Sequence, residues 1–197
     1  MRSAEQQNTA LVQEADQILN KFGLLKILQN YGQPYVTGSY ALNLMTRRDL
    51  DINIKADDLT EPRFSMLRQD IVDAFQLQNA QYLNEFKDRH PRLPLGYYIG
   101  GSTNILGAGK EWELDIWSMD SKQVRSNKKM LQKLATSLNP GHRAIILKIK
   151  TECLKNSGYQ HRFFSMDIYK AVLEEGITNT VDFLGWAEKY LRTDQAI

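Results

Sequence analysis

Asp49 and Asp51 flank Leu50 at the start of a run in which Leu50, Ile52 and Ile54 alternate with Asp51 and Asn53. That period-2 pattern predicts a half-buried strand over 50–55. Residues i and i+2 of a strand point the same way, about 6.6–6.8 Å apart. Asp49 and Asp51 therefore leave one face together while Leu50 and Ile52 enter the core. Two carboxylates aimed at one volume repel each other unless a cation sits between them. Mg²⁺, with its preference for oxygen and its octahedral shell, suits such a pair when phosphates supply further ligands, and Mn²⁺ accepts the same donors. Nine residues separate Asp49 from Gly38-Ser39 before it, a turn at which backbone N–H groups and a hydroxyl can approach an anion where a short helix starts. A phosphate cradle beside a metal pair is the arrangement for phosphoryl or nucleotidyl transfer.

A third acid is offered by Lys110-Glu111-Trp112-Glu113-Leu114-Asp115-Ile116-Trp117. Alternation places Glu111, Glu113 and Asp115 on one face, with Trp112, Leu114 and Ile116 on the other. Asp115 lies between two aliphatic residues, the same frame as Asp51, and is the expected partner. Glu113 is the fallback, and Glu111 is near the turn.

The elements that must position these groups follow from periodicity. Gln6 to Leu28 carries apolar residues at helical spacing, interrupted only by Gly23. Tyr31-Gly32-Gln33-Pro34 reads as a turn, Tyr35-Val36-Thr37 as a short strand, and Tyr40 to Met45 as a short helix. A helix is predicted from Pro62 to Gln76, strands between Gln81 and Trp117, and Gly107-Ala108-Gly109 as the hairpin turn into the last of them. Everything after Asp120 reads as helix, with Asn139-Pro140-Gly141 as a break and Pro140 opening the next helix. The boundary is placed there, giving a catalytic unit over 1–138 and a helical unit over 139–197.

Gly38-Ser39, then Asp49-Leu50-Asp51, then a strand acid at Asp115 resembles the DNA polymerase β-like nucleotidyltransferase superfamily over Tyr35 to Trp117. Ser165 to Glu174 is similar to the helical tail of its small members, among which aminoglycoside and lincosamide adenylyltransferases are best known. Many relatives carry Ser or Thr just before the first acid, where this chain has Arg47-Arg48. The resemblance implies an α+β fold, a minimal nucleotidyltransferase palm with a small mixed sheet flanked by helices and a C-terminal helical bundle. It implies transfer of a nucleoside monophosphate from a nucleoside triphosphate, taken as ATP, to a small-molecule hydroxyl, with release of pyrophosphate. Asp49 and Asp51 would hold Mg²⁺, with Asp115 a further ligand or the general base. Gly38 and Ser39 would bind the triphosphate. A lysine after the boundary would meet the phosphates, with Lys148 first choice and Lys150 and Arg143 behind it.

Composition narrows the alternatives. The chain has 197 residues, 42% hydrophobic and 24% charged, with net charge +2, which excludes a disordered or fibrous chain. From Ser121 to Thr151 stand eight basic residues (Lys122, Arg125, Lys128, Lys129, Lys133, Arg143, Lys148, Lys150) and no acid, so all 23 Asp and Glu lie elsewhere. Such a stretch suits an anion, yet helical spacing also makes it a solvated helix face. It keeps a second reading open, a modifier of RNA or protein such as a toxin–antitoxin component. No run nears the ~20 apolar residues of a membrane span and Met1 to Glu5 opens no leader core, so a cytoplasmic protein without membrane contact is expected. Cys153 shares a helix face with Ile146 and Ile149 and reads as a packed thiol, and His90, His142 and His161 lack ligand spacing. The Gly100 to Gly109 region fails both the P-loop and the dinucleotide patterns.

Overall fold

A computed structural model describes residues 2–91 and 93–194. The predicted N-terminal helix is three pieces: α1 (Ala4–Asp16), a π-helical turn (Gln17–Lys21) and α2 (Leu24–Gln29). Ser3 caps α1 in a capping box with Gln6. Gly23, at φ 77°, makes the left-handed break before α2.

Strand β1 (Gln33–Val36) begins two residues before its predicted start. It is an edge strand, so the missing N–H of Pro34 costs no ladder bond. There follow the single turn α3 (Gly38–Ala41), β2 (Asp49–Lys55), α4 (Glu61–Phe75), β3 (Gln78–Asn84), β4 (Tyr97–Thr103) and β5 (Trp112–Met119). The sheet order is β1-β2-β5-β4-β3, with β2 and β5 parallel and the other neighbours antiparallel. Gly107 and Gly109 take φ 103° and 76° in the β4–β5 connection, the left-handed conformations such a turn requires.

Four helices follow: α5 (Ser121–Ser137), α6 (Pro140–Cys153), α7 (Ser165–Leu173) and α8 (Thr180–Asp194). Asn139 caps α6 through the His142 N–H, and Pro140 opens it. Residues 154–164 depart from the all-helical expectation. Asn156 Oδ1 takes the Gly158 N–H and the Gly158 carbonyl accepts from His161, Arg162 and Phe163, so local bonds outcompete the helix ladder.

Two cores result. Leu50, Ile52, Ile54, Trp112, Leu114 and Ile116 pack one sheet face against α1, α2 and α4. The second gathers α6, α7 and α8 around Ile146, Ile149, Cys153, Ile168 and Phe183, and includes Leu42 and Leu44 from the loop before β2. The opposite sheet face carries Asp51, Asn53, Glu113 and Asp115 together with Tyr98 and Trp117, whose rings lie 5.0 Å apart. Among the described residues no helix is long and apolar enough to cross a membrane.

Candidate active site

Strand pairing assembles the carboxylates. In the parallel β2–β5 ladder Asp51 stands opposite Asp115 and Asp49 opposite Glu113. Oxygens of Asp49, Asp51 and Asp115 all lie within 4.8 Å of one another. Glu113, the fallback, is exposed and held by Arg47 at 3.2 Å.

Gly38 completes the wall. It takes φ 59°, and a Cβ there would lie 1.9 Å from Asp51 Oδ2. Only glycine satisfies both the left-handed backbone and the space that Asp51 occupies. Thr37 N–H donates to the Asp51 carbonyl at 2.8 Å, which fixes the turn against the strand.

The electrostatics match a cation site. Burial first, then the charges of Asp49 and Asp115, push the Asp51 carboxyl up to about 7. Burial pushes Asp115 up to about 6, opposed by the hydrogen bond that the Tyr98 hydroxyl donates to it. Asp49 Oδ2 accepts from Arg47 at 2.6 Å, while its Oδ1 is buried with no hydrogen-bond partner. A desolvated oxygen of that kind is costly unless something binds it. Three convergent carboxylates, one with an unused oxygen, fit Mg²⁺ or Mn²⁺ by donor chemistry.

Of the lysines on α6, the structure brings Lys150 to the site. Its side chain is 1% exposed. Its Nζ donates to Ser39 Oγ at 2.8 Å, the Leu44 carbonyl at 2.7 Å and the Tyr169 hydroxyl at 3.2 Å. Burial pulls this ammonium down to about 7. Lys148 is exposed, two residues and therefore about 200° round the helix from Lys150. Helical indexing was the signal: Lys150 falls between the buried Ile146, Ile149 and Cys153. Arg143 has a different task, donating to the carbonyls of Leu42 at 2.7 Å and Asn43 at 2.5 Å and so fastening the loop before β2.

Arg47 and Arg48 diverge. Arg48 binds Glu14 at 2.7 Å, as does Lys110 at 3.0 Å. Arg47 reaches Asp49, Glu113 and Gln160, tying β2 and β5 to the irregular segment. The bridge to Gln160 crosses 113 positions and left no local trace in the sequence.

Two cavities meet at the carboxylates. One, of about 380 Å³, runs from Gly38, Ser39, Asp49 and Asp51 to Trp117, Met130, Phe164 and Met166. Met130, Phe164 and Met166 are 51, 53 and 43% exposed, and large apolar side chains gathered at one opening mark a ligand face. The other, of about 280 Å³, holds Asp115.

No protein-family model matches the chain, and no curated protein matches it. Solved structures do. One is the Cid1 poly(U) polymerase with MgGTP bound, at TM-score 0.60 and 17% identity, covering 83% of this chain and 50% of that one. A second is a cytoplasmic RNA terminal U-transferase, at TM-score 0.56 and 16% identity, covering 82% of this chain and 45% of that one. Another Cid1 structure, described for its RNA terminal uridylyl transferase activity, gives TM-score 0.56 at 18% identity, covering 82% of this chain and 46% of that one. The fold is a nucleotidyltransferase palm. The chain spans about half the length of these neighbours, and at such identities the likeness is one of fold. Within the palm the acids occupy β2 and β5, and Gly38-Ser39 open α3 one residue after β1.

Proposed function

We propose that the protein is a metal-dependent nucleotidyltransferase moving a nucleoside monophosphate from a nucleoside triphosphate to an acceptor hydroxyl. The cluster of Asp49, Asp51 and Asp115, with a buried unpartnered oxygen beside a glycine that admits no Cβ, carries the reading. Asp49 and Asp51, joined by Asp115, would hold Mg²⁺, and the ion would supply neutralisation of triphosphate charge. Gly38 and Ser39 receive the phosphates, with Lys150 stiffening Ser39 from behind. The acceptor oxygen bonds to the α-phosphorus, the bond from that phosphorus to the pyrophosphate oxygen breaks, and the hydroxyl proton passes to Asp115.

ATP is the proposed donor and a small molecule the proposed acceptor, with the protein acting in the cytoplasm. The catalytic unit spans 1–138, and 139–197 supplies Lys150 and one wall of the cleft. Addition to an RNA end is the second reading, favoured by α5, where Lys122, Arg125, Lys128, Lys129 and Lys133 are exposed with no acid among them. Mass analysis of products from Mg²⁺, each of the four nucleoside triphosphates and both acceptor classes tests the proposal. Absence of both pyrophosphate and adduct under every pairing overturns it.

A further inference from the structure

We propose that Tyr98 is a positioning residue that makes the carboxylate cluster selective for a small octahedral cation, and that Gly100 is the space that lets it act. The proposal rests on the metal site of the function proposed above and adds the residue that sets which ion the site takes.

The placement comes from the β4–β5 ladder. Tyr98 stands opposite Trp117 and Gly100 opposite Asp115. Asp115 is therefore the diagonal neighbour of Tyr98, about 7–8 Å away along the sheet and within reach of an aromatic side chain. Tyr98 and Gly100 leave the same face of β4. Because Gly100 has no side chain, the tyrosine can lie across it: a Cβ built there would fall on the Tyr98 hydroxyl and 2.5 Å from its Cζ. Gly100 does not take a left-handed backbone, so room for the ring is what asks for glycine. The Trp117 ring packs against that of Tyr98 at 5.0 Å.

The Tyr98 hydroxyl donates to Asp115 Oδ1, and no other described residue hydrogen-bonds this carboxylate. Burial first, then Asp115 itself, push the hydroxyl above its ordinary range, so it stays a donor. Asp49 is treated alike. Arg47 holds its Oδ2 at 2.6 Å and leaves Oδ1 buried without a partner. Two of the three acids thus keep one oxygen each for a cation. Ca²⁺ takes about six to eight oxygens and accepts both oxygens of a carboxylate, whereas Mg²⁺ holds about six in an octahedron and keeps several waters. Occupying one oxygen of Asp115 removes the two-oxygen contact that suits Ca²⁺ and leaves the single contact that suits Mg²⁺. Groups that orient a ligating carboxylate are worth about ten- to a hundredfold in metal affinity or activity. Packing does not explain the hydroxyl, since phenylalanine would give Trp117 the same ring.

The test uses Mn²⁺ as a paramagnetic probe on the full-length protein with one equivalent of a non-hydrolysable nucleoside triphosphate. Water-proton relaxation, read against nucleotide alone, reports bound Mn²⁺, and Mg²⁺ or Ca²⁺ is then added to displace it. In the wild type Mg²⁺ should displace at lower concentration than Ca²⁺. Tyr98→Phe keeps the ring and removes only the hydroxyl. It should weaken Mn²⁺ about tenfold and move the Mg²⁺-to-Ca²⁺ ratio about fivefold toward Ca²⁺, as the second oxygen of Asp115 is released. Gly100→Ala should move the ratio the same way with the hydroxyl still present but displaced; if it fails to fold, Tyr98→Phe decides alone. A Tyr98→Phe ratio within twofold of wild type, or shifted toward Mg²⁺, overturns the proposal whatever happens to Mn²⁺ affinity, because a merely structural tyrosine would leave the ratio unmoved. A folded Gly100→Ala with the wild-type ratio overturns the role of Gly100. A wild type that holds no Mn²⁺ beyond the share of the nucleotide sinks the function proposed above together with this inference. A wild type that binds Mn²⁺ while Tyr98→Phe keeps its ratio sinks the inference alone.

Discussion

The cleft on the Asp49–Asp51 side of the carboxylates is walled by Trp117, Met130, Phe164 and Met166, whereas the cavity on the Asp115 side is walled by Glu111, Glu113, Ser102 and the amides of Asn79 and Gln81. One strand serves both. Asp115 and Trp117 share a face of β5, roughly 6.8 Å apart along the chain. The apolar side can take the flat face of a base and shed water, and the polar side can hold a hydroxyl and its neighbours. Between them lie Asp49, Asp51 and Asp115, with Asp51 and Asp115 pushed up first by burial and then by neighbouring carboxylates. Under the proposed reaction the two sides would meet the different requirements of donor and acceptor, so substitutions on them should fail differently.

The largest effect is expected at the shared centre. Asp51→Asn keeps the shape and removes one metal ligand, so pyrophosphate release should fall about a thousandfold, the several kcal/mol that a metal-held charge supplies. Turnover within tenfold of wild type would take Asp51 out of the metal site. Next comes the support behind the donor side. Lys150→Met should weaken nucleoside triphosphate binding about a hundredfold, since Ser39, Leu44 and Tyr169 lose a buried charged donor. Lys148→Met should stay within about twofold, as an exposed residue clear of the cleft. Calorimetric titration of both variants checks the pair, and equal losses would erase the distinction between the two lysines.

A smaller effect should separate the two sides. Phe164→Ala and Trp117→Ala should each raise KM for the nucleotide about tenfold, the worth of one base–aromatic stack, and leave KM for the acceptor unchanged. Steady-state kinetics with each substrate varied at saturating levels of the other reads both. A loss confined to acceptor binding would reverse the assignment of donor and acceptor sides.

How much of this was legible in the chain follows a physical pattern. Local periodicity placed β2 and β5 and pointed Asp49, Asp51 and Asp115 to polar faces, because strand alternation is set by neighbours in sequence. The Gly38 requirement was legible as a turn, but the 1.9 Å approach of its missing Cβ to Asp51 was not. The basic residues of α6 all read as candidates for the phosphates, with Lys148 first, whereas the helical face that buries Ile146 and Ile149 buries Lys150 as well. Composition after Asp120 reads as helix throughout, yet the irregular segment 154–164 delivers Gln160 to Arg47 and Phe164 to the cleft. Contacts such as Arg47 to Gln160 depend on the packing of distant elements, and no spacing rule encodes them.

The smallest effect is a shift of a few degrees in melting temperature, and it asks whether the cluster is strained without metal. In the folded protein Asp51 is raised to about 7, by burial first and then by Asp49 and Asp115, and Asp115 is raised to about 6 by burial. Unfolded aspartates titrate near 3.9. Between roughly pH 4 and pH 7 the folded chain therefore binds more protons than the unfolded chain, so the stability these groups contribute is full at low pH and is lost as pH rises through their folded values. Lys150 acts in the opposite direction. Burial lowers it to about 7, so the unfolded lysine binds the extra proton from there to roughly pH 10.4, and stability recovers as pH rises through that window. Together they place the least stable metal-free state near neutrality. In chelator, the wild type should lose melting temperature from pH 4 to pH 7, and Asp51→Asn should show a shallower loss and melt no lower than wild type at pH 7. About 1 kcal/mol corresponds to 2–4 °C at this chain length. Mg²⁺ with a nucleoside triphosphate should raise the wild type at pH 8 and leave Asp51→Asn unmoved, since ligand adds stability only through binding to the folded state. Calorimetric melts of both proteins across pH, with and without ligand, separate a metal site from a structural carboxylate. An Asp51→Asn protein that melts lower without metal, keeps the wild-type slope and still gains from ligand would show that Asp51 holds the fold rather than the ion.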